Sequence, residues 1–477
     1  MARSATPKAP FDPDEFRDHI GTVDESGNRR WVFPKKPKGK YYNARTWVSI
    51  LLLSLLFIGP FLKWDGEPLL LFNLIERKFI IFSLTFWPQD FYLFVLALIT
   101  FFIFVVLFTV VFGRVWCGWA CPQTLFMEMV FRKIEYWIEG DSVAQRKLAK
   151  APWNGDKIRK RALKWTIFYV LSFFIANLVM AYVVGVDELS KIVTESPYDN
   201  WGKFTFVMVF SVIFFFVFAW FREQACIVVC PYGRLQGVLL TQESIVVAYD
   251  HVRGEERGKF KQQQKLAEEG KPHGDCIDCH ACVAVCPTGI DIRNGTQMEC
   301  VNCTACIDAC DEIMDKVERP RGLIRYDSEA GISTGIRNLF NKRVIAYTIV
   351  FAFLFSFVSY SIATRANVET VLLRTPGMLY QRQDDGYISN LYNIQLINKT
   401  RNEYPLEIRI VEPESARIKL VGESITVKAQ EIAKGVLFIE IPESELHGKK
   451  NLVRVEIWSG DELLDRTKVN FFGPIKK

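Results

Sequence analysis

The chain runs to 477 residues with a net charge of +6, a hydrophobic fraction of 50% and 38 phenylalanines. That length leaves room for several domains, and the apolar content points to a membrane. The positive charge follows the connectors between apolar runs, so it gives no case for nucleic acid.

Residues 1–46 read as a basic tail. The first 40 are polar and proline-rich, without the short apolar core of a signal peptide. Arg29 to Arg45 carries seven Lys or Arg and is expected to stay cytoplasmic. Residues 47–242 hold four apolar runs, Trp47 to Leu62, Phe91 to Phe112, Trp165 to Val186 and Phe204 to Phe221. Each approaches the ~20 residues needed to cross a bilayer core. Between the first two, Leu69 to Trp87 is apolar but carries Glu76, Arg77 and Lys78, charges that are costly at mid-membrane. It reads as an interfacial or re-entrant stretch. The connector from Gly113 to Lys164 holds eleven Lys or Arg, as a cytoplasmic loop should. The one from Asp187 to Lys203 has two, against four acids.

Residues 243–320 read as a cytoplasmic two-cluster ferredoxin domain. Eight of the twelve cysteines lie here in two runs of C-x2-C-x2-C-x3-C, the ligand pattern of 4Fe-4S cubanes. The first is Cys276, Cys279, Cys282 and Cys286, followed by Pro287. The second is Cys300, Cys303, Cys306 and Cys310, followed by Asp311 instead of a second proline. In two-cluster ferredoxins the fourth thiolate crosses over. One cluster is therefore expected on Cys276, Cys279, Cys282 and Cys310, the other on Cys300, Cys303, Cys306 and Cys286. Zinc, which usually takes two separated C-x2-4-C pairs, suits this spacing poorly.

Residues 321–342 read as a linker, and 343–363 as a fifth span centred on Val344 to Ile362. Residues 364–477 then fall outside, with alternating runs at Tyr392 to Ile397, Leu406 to Val411, Val436 to Ile441, Leu452 to Trp458 and Lys468 to Phe472. Their spacing suits a small β-sandwich. No cysteine follows Cys310, so this domain has no disulfide.

The remaining thiols form an internal echo. WCGWACP (Trp116 to Pro122) ends the second span with Cys117 and Cys121, and ACIVVCP (Ala225 to Pro231) ends the fourth with Cys226 and Cys230. The two C-x3-C-P motifs lie 109 residues apart, after Arg114 and Arg222 respectively. On a helix, i and i+4 thiols share a face, and two such pairs could offer four sulfurs to a soft metal such as Cu(I). The prolines should end or kink each helix beside the site. A free cysteine in an apolar helix is commonly a small packing residue, but two matched pairs favour function. Trp116 and Trp119 read as interfacial anchors, Met127 and Met129 as packing, and His251, His273, His280 and His447 as solvated. None of the five histidines lies in a span, which excludes a membrane bis-histidine haem. Without a G-x-G-x-x-G between strand and helix, the electron donor must be external or a quinol.

This order of parts, with YDHVRGEERG from Tyr249 to Gly258, resembles the CcoG family, also called RdxA or FixG, accessory proteins for assembling the cbb-type cytochrome c oxidase. The resemblance covers nearly the whole chain. It implies a multi-pass α-helical membrane protein with an inserted two-cluster 4Fe-4S domain and an external immunoglobulin-like β domain, in a bacterial inner membrane. It implies a cupric reductase, with Cys117, Cys121, Cys226 and Cys230 handling copper and the eight other cysteines holding the clusters. Copper ions, oxidase subunits or copper chaperones are the implied partners, and a homo-oligomer is left open. Two alternatives compete. A quinol dehydrogenase of the NapH type resembles the first 320 residues, and a non-enzymatic scaffold would use the β domain alone to hold oxidase subunits.

Overall fold

The computed structural model describes residues 22–23, 26, 28–64, 67–73, 78–82, 84–377, 379–422 and 425–474. His19 and most of the tail before it, together with Glu76 and Arg77, lie outside them. Five described helices are long and apolar enough to cross a membrane. They are α1 (Lys40–Ile58), α2 (Phe91–Phe112), α3 (Gly155–Val184), α4 (Trp201–Phe216) and α5 (Lys342–Ala363). Two begin earlier than hydropathy indicates, because capping rather than apolarity sets a helix start. Asn154 accepts from the Lys157 N–H at the head of α3 (2.9 Å). The Asp308 carboxylate accepts from the Tyr41 and Tyr42 N–H groups at the head of α1 (3.1 and 2.8 Å).

The chain divides into two compact units, residues 1–63 with 96–355, and residues 64–95 with 356–477. In the second unit, the described residues of the stretch read as interfacial or re-entrant, 69–87, form a three-stranded antiparallel meander. Its strands are β1 (Leu70–Asn73), β2 (Lys78–Ile81) and β3 (Leu84–Phe86). Short apolar runs of this kind bury alternate side chains, here Leu71 and Ile80, and satisfy their backbone across the sheet. Lys78 opens β2, so its charge falls at a strand end.

In the first unit, β4 (Val246–Tyr249) pairs antiparallel with β5 (Ile324–Asp327). The stretch 321–342 is therefore more than a linker. Leu323 and Ile324 pack with Val247, Tyr249 and Met314 in the core around the cluster cysteines. The run is only four residues long and its partner is remote in sequence, so local periodicity could not mark it. In a separate core Phe131 stacks on Phe218 and meets Phe168 edge-on.

Besides a short two-stranded pair, Tyr404–Pro405 with Thr426–Val427, the described C-terminal residues form two main antiparallel sheets. One orders β9 (Arg417–Val421), β10 (Ile432–Pro442), β7 (Tyr387–Asn398) and β6 (Val368–Arg374); the other orders β8 (Glu407–Glu412), β11 (Lys450–Ser459) and β12 (Glu462–Phe472). Alternate residues Tyr392, Ile394 and Leu396 face Val453, Val455 and Ile457 in a shared core, the sandwich expected from the alternating runs. In the same unit Lys399, buried, pairs with Asp90 (2.6 Å) and Glu369 (2.7 Å), and Arg365 also reaches Asp90 (3.3 Å).

Candidate metal centres

Between its cysteines each ferredoxin loop places residues in the left-handed region, Asp278 and His280 in the first, Asn302 and Thr304 in the second. Alternating left- and right-handed residues turn successive N–H groups to one side and make an anion-accepting concavity. One cavity is lined by Cys276, Cys279, Cys282 and Cys310. A second is lined by Cys282, Cys286, Cys300, Cys303 and Cys306. The first thus draws three cysteines from the first run and Cys310 from the second, and the second draws three from the second run and two from the first. No described group of three or more His, Cys, Asp or Glu converges as a mononuclear metal requires. The thiols surround a volume instead, which suits a cubane and not a zinc tetrahedron with Zn–S near ~2.3 Å.

The protein supports these sulfurs further. Backbone N–H groups of Thr288, Gly289 and Ile290 point at Cys286, and those of Asn302 and Ala305 at Cys300 and Cys303. Burial pushes the Cys282 and Cys300 thiols up to about 12 and the Cys303 thiol up to about 11. Protons held that firmly are displaced by metal binding. His280, between ligands Cys279 and Cys282 and expected to be exposed to solvent or to tune a cluster by hydrogen bonding, is exposed, and its Nδ1 accepts from Arg293 (2.8 Å). Arg293 also binds Asp278 and Asp291 (both 2.6 Å). Asp311, where a proline was missing, lies midway along the helix Ala305–Lys316, accepts from the Gly322 N–H (2.9 Å) and fastens that helix to the chain entering β5.

The C-x3-C-P motifs depart from the single helix face that their spacing indicated. Cys117 lies in the short helix Val115–Trp119 and Cys226 in the π-turn Ala225–Val229, whereas Cys121 and Cys230 are extended residues outside them. Pro122 and Pro231 cause the break, because proline disfavours a helical residue before it and suits the first position of the next helix. The breaks match closely. Cys121 N–H donates to Trp116 O and Cys230 N–H to Ala225 O, both at 2.9 Å. Burial pushes Cys226 up to about 12, with Cys121, Cys117 and Cys230 adding to it, and Cys117 up to about 11.

These motifs sit against the ferredoxin loops. A Cβ on Gly118 would come within 2.6 Å of the Val301 and Asn302 carbonyl oxygens, so only glycine permits this backbone approach. Arg45 Nε donates to Gly118 O (2.6 Å). Trp119, expected at the membrane interface, instead donates to Tyr326 Oη (2.9 Å), which donates to Asn302 O (3.2 Å). Arg114, buried, donates to the carbonyls of Gly233 (2.6 Å), Cys300 (3.3 Å) and Met298, and to Gln236 Oε1. Arg222 instead pairs with buried Glu135 (2.6 Å). Met127 packs in the core with Phe126 and Phe131, as expected. Sequence reasoning noticed Arg114 as part of the echo but gave no role to it, to Gln236 or to Asp308.

Comparison with known proteins follows the same divisions. Residues 221–329 match a 4Fe-4S dicluster domain, residues 94–143 a 4Fe-4S binding domain, and residues 358–474 the IG-like fold at the C-terminal of FixG. Protein RdxB of Cereibacter sphaeroides is 36% identical over 417 residues, covering 84% of this chain and 86% of RdxB. Protein RdxA of the same organism is 34% identical, covering 82% of this chain and 85% of RdxA. Nitrogen fixation protein FixG of Rhizobium meliloti is 30% identical over 464 residues, covering 87% of each chain.

Proposed function

This chain belongs to the FixG and RdxA family of multi-pass membrane iron–sulfur electron-transfer proteins, and from that premise we propose that it reduces Cu(II) to Cu(I) for assembly of a cbb-type cytochrome c oxidase. Cys276, Cys279, Cys282 and Cys310 hold one 4Fe-4S cluster, and Cys300, Cys303, Cys306 and Cys286 the other. When bound, such clusters carry single electrons. The N-terminus and both cavities face the cytoplasm of a bacterial inner membrane, and the C-terminal domain faces the periplasm, as the Lys and Arg content of the connectors favours.

Copper is the substrate. Cys117, Cys121, Cys226 and Cys230 receive Cu(II), which takes one electron from an external reductant delivered through the protein. Thiolates prefer Cu(I) over Cu(II), so the ligand set favours the product. The observation that carries this reading is the contact of Gly118 with Val301 and Asn302. It sets a sulfur pair directly against the loop of Cys300 and Cys303, so the two kinds of site adjoin. Copper reduction by purified, pre-reduced protein tests the reading. Cys226→Ser/Cys230→Ser should lose most of the rate while keeping its iron; an unchanged rate removes these thiols from the reaction.

A second reading has support in the match of residues 94–143, which include Cys117 and Cys121, to a 4Fe-4S binding domain. On it, the four thiols hold a third cluster. Iron analysis separates the two, at about eight atoms per chain for two cubanes against about twelve for three.

A further inference from the structure

Gln236 lies on the helix Pro231–Leu239, just after the second C-x3-C-P motif, and is fully buried. Its Nε2 stands 3.5 Å from the Sγ of Cys117, a residue of the first motif. The other end of the amide is fixed. Arg114 Nε donates to Gln236 Oε1, and a guanidinium has donors only, so the oxygen must face the arginine. Arg114 cannot swing away, because its other N–H groups are engaged by the carbonyls of Gly233, Met298 and Cys300. The amide nitrogen is left nearer the Cys117 sulfur, which lies 3.7 Å from Oε1 as well. The matching position of the first motif, six residues past its second cysteine, is Met127, which has no N–H to give.

We propose that Gln236 is a positioning residue for copper, held by Arg114 so that its amide donates a hydrogen bond to the Cys117 sulfur and biases the site toward Cu(I). The inference rests on the reading that these thiols receive copper. Hydrogen bonding around a cysteine sulfur tunes the potential of a copper it ligates. A donated N–H drains charge from the sulfur, weakening its donation to Cu(II) more than to Cu(I). It also makes the four thiols unequal, with Cys117 the least electron-rich.

The test uses full-length protein in detergent with its iron loaded, and the variants Gln236→Leu and Gln236→Glu. Leu removes the amide; Glu keeps its shape and the bond to Arg114 but carries no N–H. Cu(I) is titrated in competition with a chromophoric chelator, and Cu(II) is followed by its sulfur-to-copper charge-transfer band. Both variants should shift the balance toward Cu(II), which gains about 10- to 100-fold in affinity relative to Cu(I), with the band moved to lower energy and the iron content unchanged. Wild-type affinity and an unmoved band in the glutamate variant would overturn the proposal, even if the leucine variant misfolds. Parallel losses of iron and copper would also overturn it, by making Gln236 merely structural. Wild-type protein that takes up no copper at all would remove the proposed function beneath it, a result distinct from either.

Discussion

In the loops that carry Cys276 to Cys310, left-handed residues fold backbone N–H groups around two cavities, one lined by four thiols and the other by five. Beyond α2 and α4 a proline follows each of the short turns Val115–Trp119 and Ala225–Val229, and Cys117, Cys121, Cys226 and Cys230 share a neighbourhood without closing on a point. The first arrangement is preorganised by backbone, as suits a group that stays. The second depends on side chains, Arg114 and Gln236 among them, as suits the passing copper ion proposed for it.

The sharpest way to break this contrast is to remove thiols from the cavities singly. Cys310→Ser should lose about four iron atoms per chain, and its electron paramagnetic resonance spectrum should coincide with that of Cys279→Ser. Cys286→Ser should likewise coincide with Cys303→Ser. If Cys310→Ser instead matches Cys303→Ser, the thiolates do not cross between the runs.

The cysteine spacing made these cavities legible before any coordinates, because a cubane demands a fixed number of residues between ligands. The five spans and the β-sandwich were equally legible, since both rest on periodicity along a single stretch. What local pattern could not show was non-local or conformational. β5 hid in an apparent linker because its partner β4 lies far earlier in the chain. The meander of β1 to β3 looked re-entrant because hydropathy counts apolar residues without regard to which side they face. Cys117 and Cys121 were expected on one helical face, and the proline that follows them, visible in the sequence, in fact separates them. Gln236 could not be found at all from sequence, as an isolated glutamine carries no signal until Arg114 fixes which way it points.

Smaller changes sharpen the comparison where the two regions touch. Gly118→Val would drive a side chain into the Val301 and Asn302 carbonyls, costing about 1–3 kcal/mol. The melting temperature should fall, and copper reduction should slow more than Cu(I) binding weakens. Equal losses in both would mean that the loop contact does no more than hold the fold. Asp308 sits between Cys306 and Cys310 yet caps α1, so it ties a cluster helix to the first span. Asp308→Ala should lower stability by about 0.5–2 kcal/mol in chemical denaturation, with iron content preserved. An unaltered midpoint would show that the cap adds nothing.

The most direct measurement mixes anaerobic, pre-reduced protein with Cu(II) in a stopped-flow cell and follows iron–sulfur absorbance and Cu(I) chelate together. The account predicts that the two signals change on one time course, with one Cu(I) formed for each electron the protein loses. Reoxidation of the iron–sulfur chromophore with no Cu(I) formed, or a chromophore that stays reduced in the presence of Cu(II), would contradict it.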